Sequence, residues 1–214
     1  MDFSDFLKYV PKIKQEKLLA EEAHFKMVPF DRVLKFEKIN TNYNIPRKAA
    51  VMMLIYPKNN KAHLALIVRN TYPGVHSAQI GFPGGKVEIE DKSLTHTALR
   101  ETQEEIGIHP DNIEVIKPFT EVFIPPSNFI VAPFLGISYS ELEFIEQVEE
   151  VAGIIEFPLL DFLNDNTIVN KIMDTSYGNN IEVPTFKINE HYVWGATAMM
   201  LSELKEVLKS SFKN

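Results

Sequence analysis

The clearest pattern along the chain begins at Ala49. The run AAVMMLIY ends in the turn-like PKNNK, and AHLALIVR follows, so two apolar stretches of strand length flank a short polar loop. This predicts a β-hairpin. A segment rich in Pro and Gly follows it, then GFPGG, then a helical pattern over residues 92–106 stopped by Gly107 and Pro110, with Asp91 or Ser93 available as the cap. Short β-like runs recur at 113–119, 129–137, 151–157 and 181–188. A last helix is expected over 195–211, because Met200, Leu201, Leu204, Val207 and Leu208 keep three-and-four spacing and so form a core-packing stripe. Residues 1–45 mix apolar and charged positions around Pro11 and Pro29, which suggests one or two short helices and a connector. Strands interspersed with few helices predict an α/β protein, a mixed sheet covered by helices on both sides.

Composition narrows the classes. With 214 residues, 45% hydrophobic and 24% charged, the chain is that of a globular protein with one full core. No apolar run approaches the ~20 residues of a membrane span, and the start, MDFSDFLKYVPKIK, has acids where a signal peptide has basic residues. A cytoplasmic protein with no membrane partner is expected. The absence of cysteine excludes disulfides, thiolate metal sites and cysteine nucleophiles. The net charge of −7, with no dense basic run, argues against a nucleic-acid partner.

Candidate chemistry concentrates in residues 81–108. At about 100° per residue, Glu101, Glu104 and Glu105 fall within an arc of roughly 100°. Their carboxylates converge. Ala98, Leu99, Thr102 and Ile106 take the neighbouring arc, so the acidic cluster borders the buried face, where like charges repel more strongly than in water. A cation relieves that repulsion, and magnesium suits oxygen ligands supplied by carboxylates, waters and phosphates. An acidic helix alone more often just solvates a surface; the adjoining Pro83, Gly84 and Gly85, where backbone can approach a ligand closely, shift the balance.

This segment resembles the signature of the Nudix hydrolase family, G-x5-E-x7-R-E-U-x-E-E-x-G-U with U apolar. Arg100, Glu101, Glu104, Glu105, Gly107 and Ile108 match, and Thr102 replaces an apolar residue. Fourteen residues separate Gly85 from Arg100 where the general signature has thirteen, so Asp91 or Glu90 stands near the acidic loop position. The same extension occurs in the coenzyme A pyrophosphatase subgroup, whose upstream pattern L-L-T-x-R-S-x3-R-x3-G-x-V-x-F-P-G-G is similar to LIVRNTYPGVHSAQIGFPGG. Gly74 stands where that pattern has its second arginine and Ala78 where it has glycine. Glu150-Val151, Phe157-Pro158-Leu159 and Trp194 to Ala198 also resemble the subgroup.

The resemblance implies a Nudix-type α/β/α sandwich over residues 46–214, with 1–45 as a helical extension packed on it. It implies Mg2+ or Mn2+ as cofactor, with Glu101 and Glu105 as first ligands, Glu104 assisting and the Gly85 carbonyl as a further donor. Arg100 would orient these glutamates, and the catalytic set is Arg100, Glu104 and Glu105. Glu104, Glu105, Glu121 and Glu150 are all candidates for the general base. Arg69 is the expected phosphate contact and Phe82, with Trp194, a candidate for stacking on adenine, although a lone aromatic beside glycine more often belongs to the core. His76, His96 and His191 show no zinc-site spacing and are read as surface or packing residues. The expected partner is a small nucleotide diphosphate, coenzyme A first, cleaved to 3',5'-ADP and 4'-phosphopantetheine. ADP-ribose, dinucleotides or nucleoside triphosphates are the alternative substrates, and a noncatalytic Nudix-fold nucleotide sensor is the alternative of another class. A homodimer is one admissible assembly.

Overall fold

The computed structural model describes residues 1–29, 45–70, 79–175 and 178–213. The expected hairpin is formed by β1 (Arg47–Lys58) and β2 (Lys61–Arg69), with Lys58 opposite Lys61. Asn59 and Asn60 turn the chain, both at positive φ, the twist that a two-residue hairpin loop needs. β1 is apolar over nearly its whole length because both of its faces are covered. Ala49, Val51, Met53 and Ile55 point into one buried cluster, while Ala50, Met52, Leu54 and Tyr56 point into another.

Around this strand the described residues form a mixed eight-stranded sheet. β3 (Ile80–Gly81), β2, β1, β7 (Phe129–Ile137) and β5 (Glu114–Pro118) follow in order, with β4 (Gly84–Lys86) on β1, β6 (Val122–Ile124) on β7 and β8 (Val151–Pro158) on β2. β1 and β7 run parallel, and the remaining pairs in this sheet are antiparallel. The expected helix runs from Leu94 to Ile106 (α4) and packs through Ala98 and Ile106 on one face. The other face is covered by the C-terminal helix, Gly195–Phe212 (α6), through Leu201, Leu204 and Leu208. The α/β/α sandwich with a mixed sheet is therefore the architecture found.

The N-terminal residues make three short helices rather than one or two, Phe3–Leu7 (α1), Val10–Gln15 (α2) and Glu21–His24 (α3). They pack against the α6 side, where Phe3, Phe6, Ile13 and Met27 enter the core. A further short helix, Leu159–Leu163 (α5), and a second sheet of β9 (Ile168–Thr175), β10 (Gly178–Ile188) and β11 (His191–Val193) complete the described fold.

Candidate functional site

α4 starts at Ser93, whose hydroxyl accepts the His96 N–H at 3.1 Å, and ends at Gly107, whose φ of 75° favours glycine. Its neighbour across the sheet is β4. Gly85 pairs with Ala50 there, and a Cβ on Gly85 would come within 2.5 Å of the Glu101 carboxylate, so glycine is needed for the acidic helix to lie this close. Gly84, at φ 149°, is even tighter against the backbone of β1.

Glu105 is the most enclosed member of the acidic arc, its side chain 1% exposed. Its Oε2 accepts the Gly84 N–H at 2.7 Å, and its Oε1 lies 3.4 Å from Nη1 of Arg69. Burial pushes its carboxyl up to about 7, against Arg69 and the Gly84 N–H, and the charges of Glu101 and Glu150 push the same way. Burial likewise raises Glu101, against the opposing pull of Arg100. Glu104 differs: its side chain is 56% exposed and its Oε2 accepts from Arg100 Nη1 at 2.7 Å.

Arg100 ties the site together. Its Nε and Nη2 grip the two oxygens of Asp91, each at 3.0 Å, Nη1 reaches Glu101 at 3.0 Å as well as Glu104, and Nη2 also donates to the Lys86 carbonyl. Asp91, whose side chain has no exposed surface, in addition accepts from Thr97 Oγ1, from His96 Nδ1 and from the Glu88 N–H. The Arg100 guanidinium holds its carboxyl well below the usual range, against its burial. Asp91, and not Glu90, therefore occupies the acidic loop position, where it braces Arg100. His96 and Thr97 had no functional signal in the sequence; their contacts with Asp91 follow from one turn of helix beyond Ser93.

Arg69 faces a cleft of about 580 Å³. Its Nη2 donates to the Gly84 carbonyl at 2.7 Å, so together with Glu105 it braces the glycine turn as well as lining the cleft. Phe82 also lines the cleft but is 2% exposed and belongs to the core, and Trp194, Gly195, Ala196 and Thr197 line it as well. Of the candidate bases, Glu150 is brought near Glu101 and Glu105, and Glu121 stands exposed before β6. Gly74, His76 and Ala78 lie outside the described residues, and His191 is exposed on β11.

Among the described residues no three His, Asp or Glu side chains are already gathered to hold a metal ion. The donor set still fits one. Glu101 and Glu105 are two desolvated carboxylates that repel each other across a side-chain-free glycine, with one arginine turned to each, and magnesium normally completes its shell with water and substrate phosphate.

These features define an acidic helix set against a glycine turn beside a cleft, and comparison with known proteins identifies the family that carries it. The NUDIX domain model matches residues 46–173. Two relatives named "Uncharacterized Nudix hydrolase NudL" are similar: the Citrobacter koseri protein is 30% identical, covering 81% of this chain and 91% of its own, and that of Klebsiella pneumoniae is 33% identical, covering 74% and 81%. A Nudix hydrolase from M. smegmatis, RenU, shares the fold at a TM-score of 0.54 and 14% identity, over 80% of this chain and 91% of that one. The chain belongs to the Nudix hydrolase family and hydrolyses the diphosphate bond of nucleotide derivatives. Among the described residues no helix is long and apolar enough to cross a membrane.

Proposed function

We propose that the substrate is coenzyme A, cleaved at its diphosphate to 3',5'-ADP and 4'-phosphopantetheine. One observation carries this reading: three of the sequence features that resemble the coenzyme A subgroup, Arg69, the turn with Phe82, Gly84 and Gly85, and the segment that begins at Trp194, line one cleft although Arg69 and Trp194 lie 125 positions apart. That cleft is apolar along Val51, Phe123, Phe129 and Met200 and polar at its glycine end, which suits a long uncharged arm attached to a diphosphate.

Glu101 and Glu105 would hold magnesium or manganese, with Glu104 assisting and the Gly85 carbonyl as a further donor. A metal held there would supply charge to neutralise the diphosphate and would make a water molecule more acidic. Arg100, locked on Asp91, fixes Glu101 and Glu104 in direction. Arg69 keeps Glu105 and the Gly84 carbonyl in place, and its remaining surface faces the phosphates. Glu104, Glu105 and Glu150 remain the candidates for taking the proton from water, and Phe82 contributes mainly the packed floor of the cleft. Gly74, in place of an arginine, keeps ADP-ribose as the second reading.

The test is hydrolysis by the purified protein, with magnesium, of coenzyme A, ADP-ribose, NADH and ATP at equal concentration. Coenzyme A is expected to give the highest kcat/KM, with 3',5'-ADP as product. ADP-ribose exceeding it would overturn the substrate assignment and leave the metal site standing.

A further inference from the structure

The two faces of β4 carry different chemistry. Successive strand residues point to opposite sides, and residues directly opposite each other in an antiparallel pair point to the same side. Gly85 opposes Ala50 on the α4 side, where Glu101 lies. Lys86 opposes Ala49, which faces the cleft, and Lys86 lines that cleft beside it. Arg47 precedes Ala49 by two residues on β1 and so shares its face. Its guanidinium lies 4.1 Å from the ring centroid of Phe129, its register partner on β7 and part of the cleft wall. Two exposed cations thus stand on the cleft side, next to the strand that carries the carboxylate site on its other side.

Among the described residues neither cation is neutralised: no carboxylate forms an ion pair with Arg47 or Lys86, and the Arg47 guanidinium donates to the Ser127 carbonyl. In a chain of net charge −7 such a pair is a local reversal of sign. Arg69, the expected phosphate contact, is already tied to Gly84 and Glu105. Lys86 follows Gly85 directly, about 3.8 Å along the backbone, so a group held by its ammonium lies within a few bonds of a diphosphate lodged at the glycines.

We infer that Arg47 and Lys86 form a subsite for a phosphomonoester carried by the substrate away from the diphosphate that is cleaved. A phosphomonoester bears about −1.5 to −2 charges at pH 7, for which an arginine fork and a lysine point charge are matched donors. The subsite would select a 3'-phosphorylated adenosine over its unphosphorylated counterpart. This rests on the assignment of the cleft to the nucleotide substrate.

Calorimetric titration of the full chain with 3',5'-ADP and with 5'-AMP separates the two claims, because it reads binding without requiring turnover. The parent should bind 3',5'-ADP about tenfold more tightly, and Lys86→Met and Arg47→Met should each narrow that preference by roughly threefold or more while affinity for 5'-AMP holds. Lys48→Met removes the same charge from the neighbouring residue, whose side chain takes the α4 side, and should leave the preference intact. Equal affinity of the parent for the two nucleotides, survival of the preference in both variants, or an equal loss in Lys48→Met would each overturn the subsite. A preference that behaves as expected in a protein that does not cleave coenzyme A would support the subsite and overturn the substrate assignment instead.

Discussion

Among the described residues two glutamates are buried, and the molecule treats them in opposite ways. Glu203, on α6, is fully covered, but its carboxylate accepts from the Ala20 N–H at 2.7 Å, the Thr120 N–H at 3.1 Å and the Thr120 hydroxyl at 2.7 Å, with His24 3.5 Å away. Burial alone would raise its pKa, yet these donors outweigh it and leave the group below its ordinary value. Glu105 has a single backbone donor, an arginine at 3.4 Å and two other carboxylates in its surroundings, and burial wins. A buried charge that is fully satisfied ties elements together; one left short of partners waits for something else. Glu203 joins the N-terminal helices to the last helix, whereas Glu105 sits where a cation and a diphosphate would complete its environment.

The sharpest way to break this contrast is to neutralise each carboxylate in turn. Glu105→Gln retains the volume and an oxygen for the Gly84 N–H, so circular dichroism and thermal stability should stay near the parent's while kcat falls by about 10²- to 10⁴-fold. Near-normal turnover would remove Glu105 from the site. Glu203→Ala should do the reverse. Truncation strands two part-buried N–H groups and the Thr120 hydroxyl, at a cost of about 2–4 kcal/mol, or about 5–10 °C in Tm for a chain of this size, while kcat of the folded fraction changes little. A Tm within a degree of the parent's would mean that the network is not what holds the N-terminal segment.

The same contrast explains what could be read in the sequence. α4, the β1–β2 hairpin and α6 announce themselves because their periodicity reports burial on one or both faces, and the glutamates converge because a helix fixes angles within one turn. β9 was missed, since IVNKIMDT lies largely exposed and lacks the apolar alternation of a half-buried strand. β3, β4, β6 and β11 are two or three residues long and depend on neighbours for their conformation. Glu203 and Lys205 are charged residues outside the apolar stripe of α6, yet both are buried. Their partners come from Ala20, Thr120 and Asn164, and no local spacing reveals donors that arrive from 41 to 183 positions away. Asp91 was legible only as one of two acids near the loop position; its nine-residue separation from Arg100 acquires meaning once the turn before α4 brings the pair together.

The smallest effect expected is the acid response of the Glu203 network, and its sign follows from the direction of the shift. A carboxyl whose folded pKa lies below its unfolded value contributes stability that is present above the unfolded value, ordinarily 4.5, and is lost as pH falls through the folded one. Asp91, Asp165 and Glu156 are also lowered, by ion pairs and hydrogen bonds of their own, so the parent's acid curve sums several groups. Glu203→Gln isolates one of them, because the amide keeps one of the two oxygens that accept from the Ala20 and Thr120 N–H groups and does not titrate. Thermal melts of both proteins at pH 6 should show the parent more stable, and the gap should close as pH drops through 4.5 and below, where the parent's carboxyl takes up its proton and becomes, like glutamine, a neutral group. The effect is smaller than that of truncation since protonation leaves the side chain in place to accept. A gap that stays constant from pH 6 to below 4 would show that the charge on Glu203 contributes nothing and that its hydrogen-bonding shape alone holds α6 to the N-terminal helices.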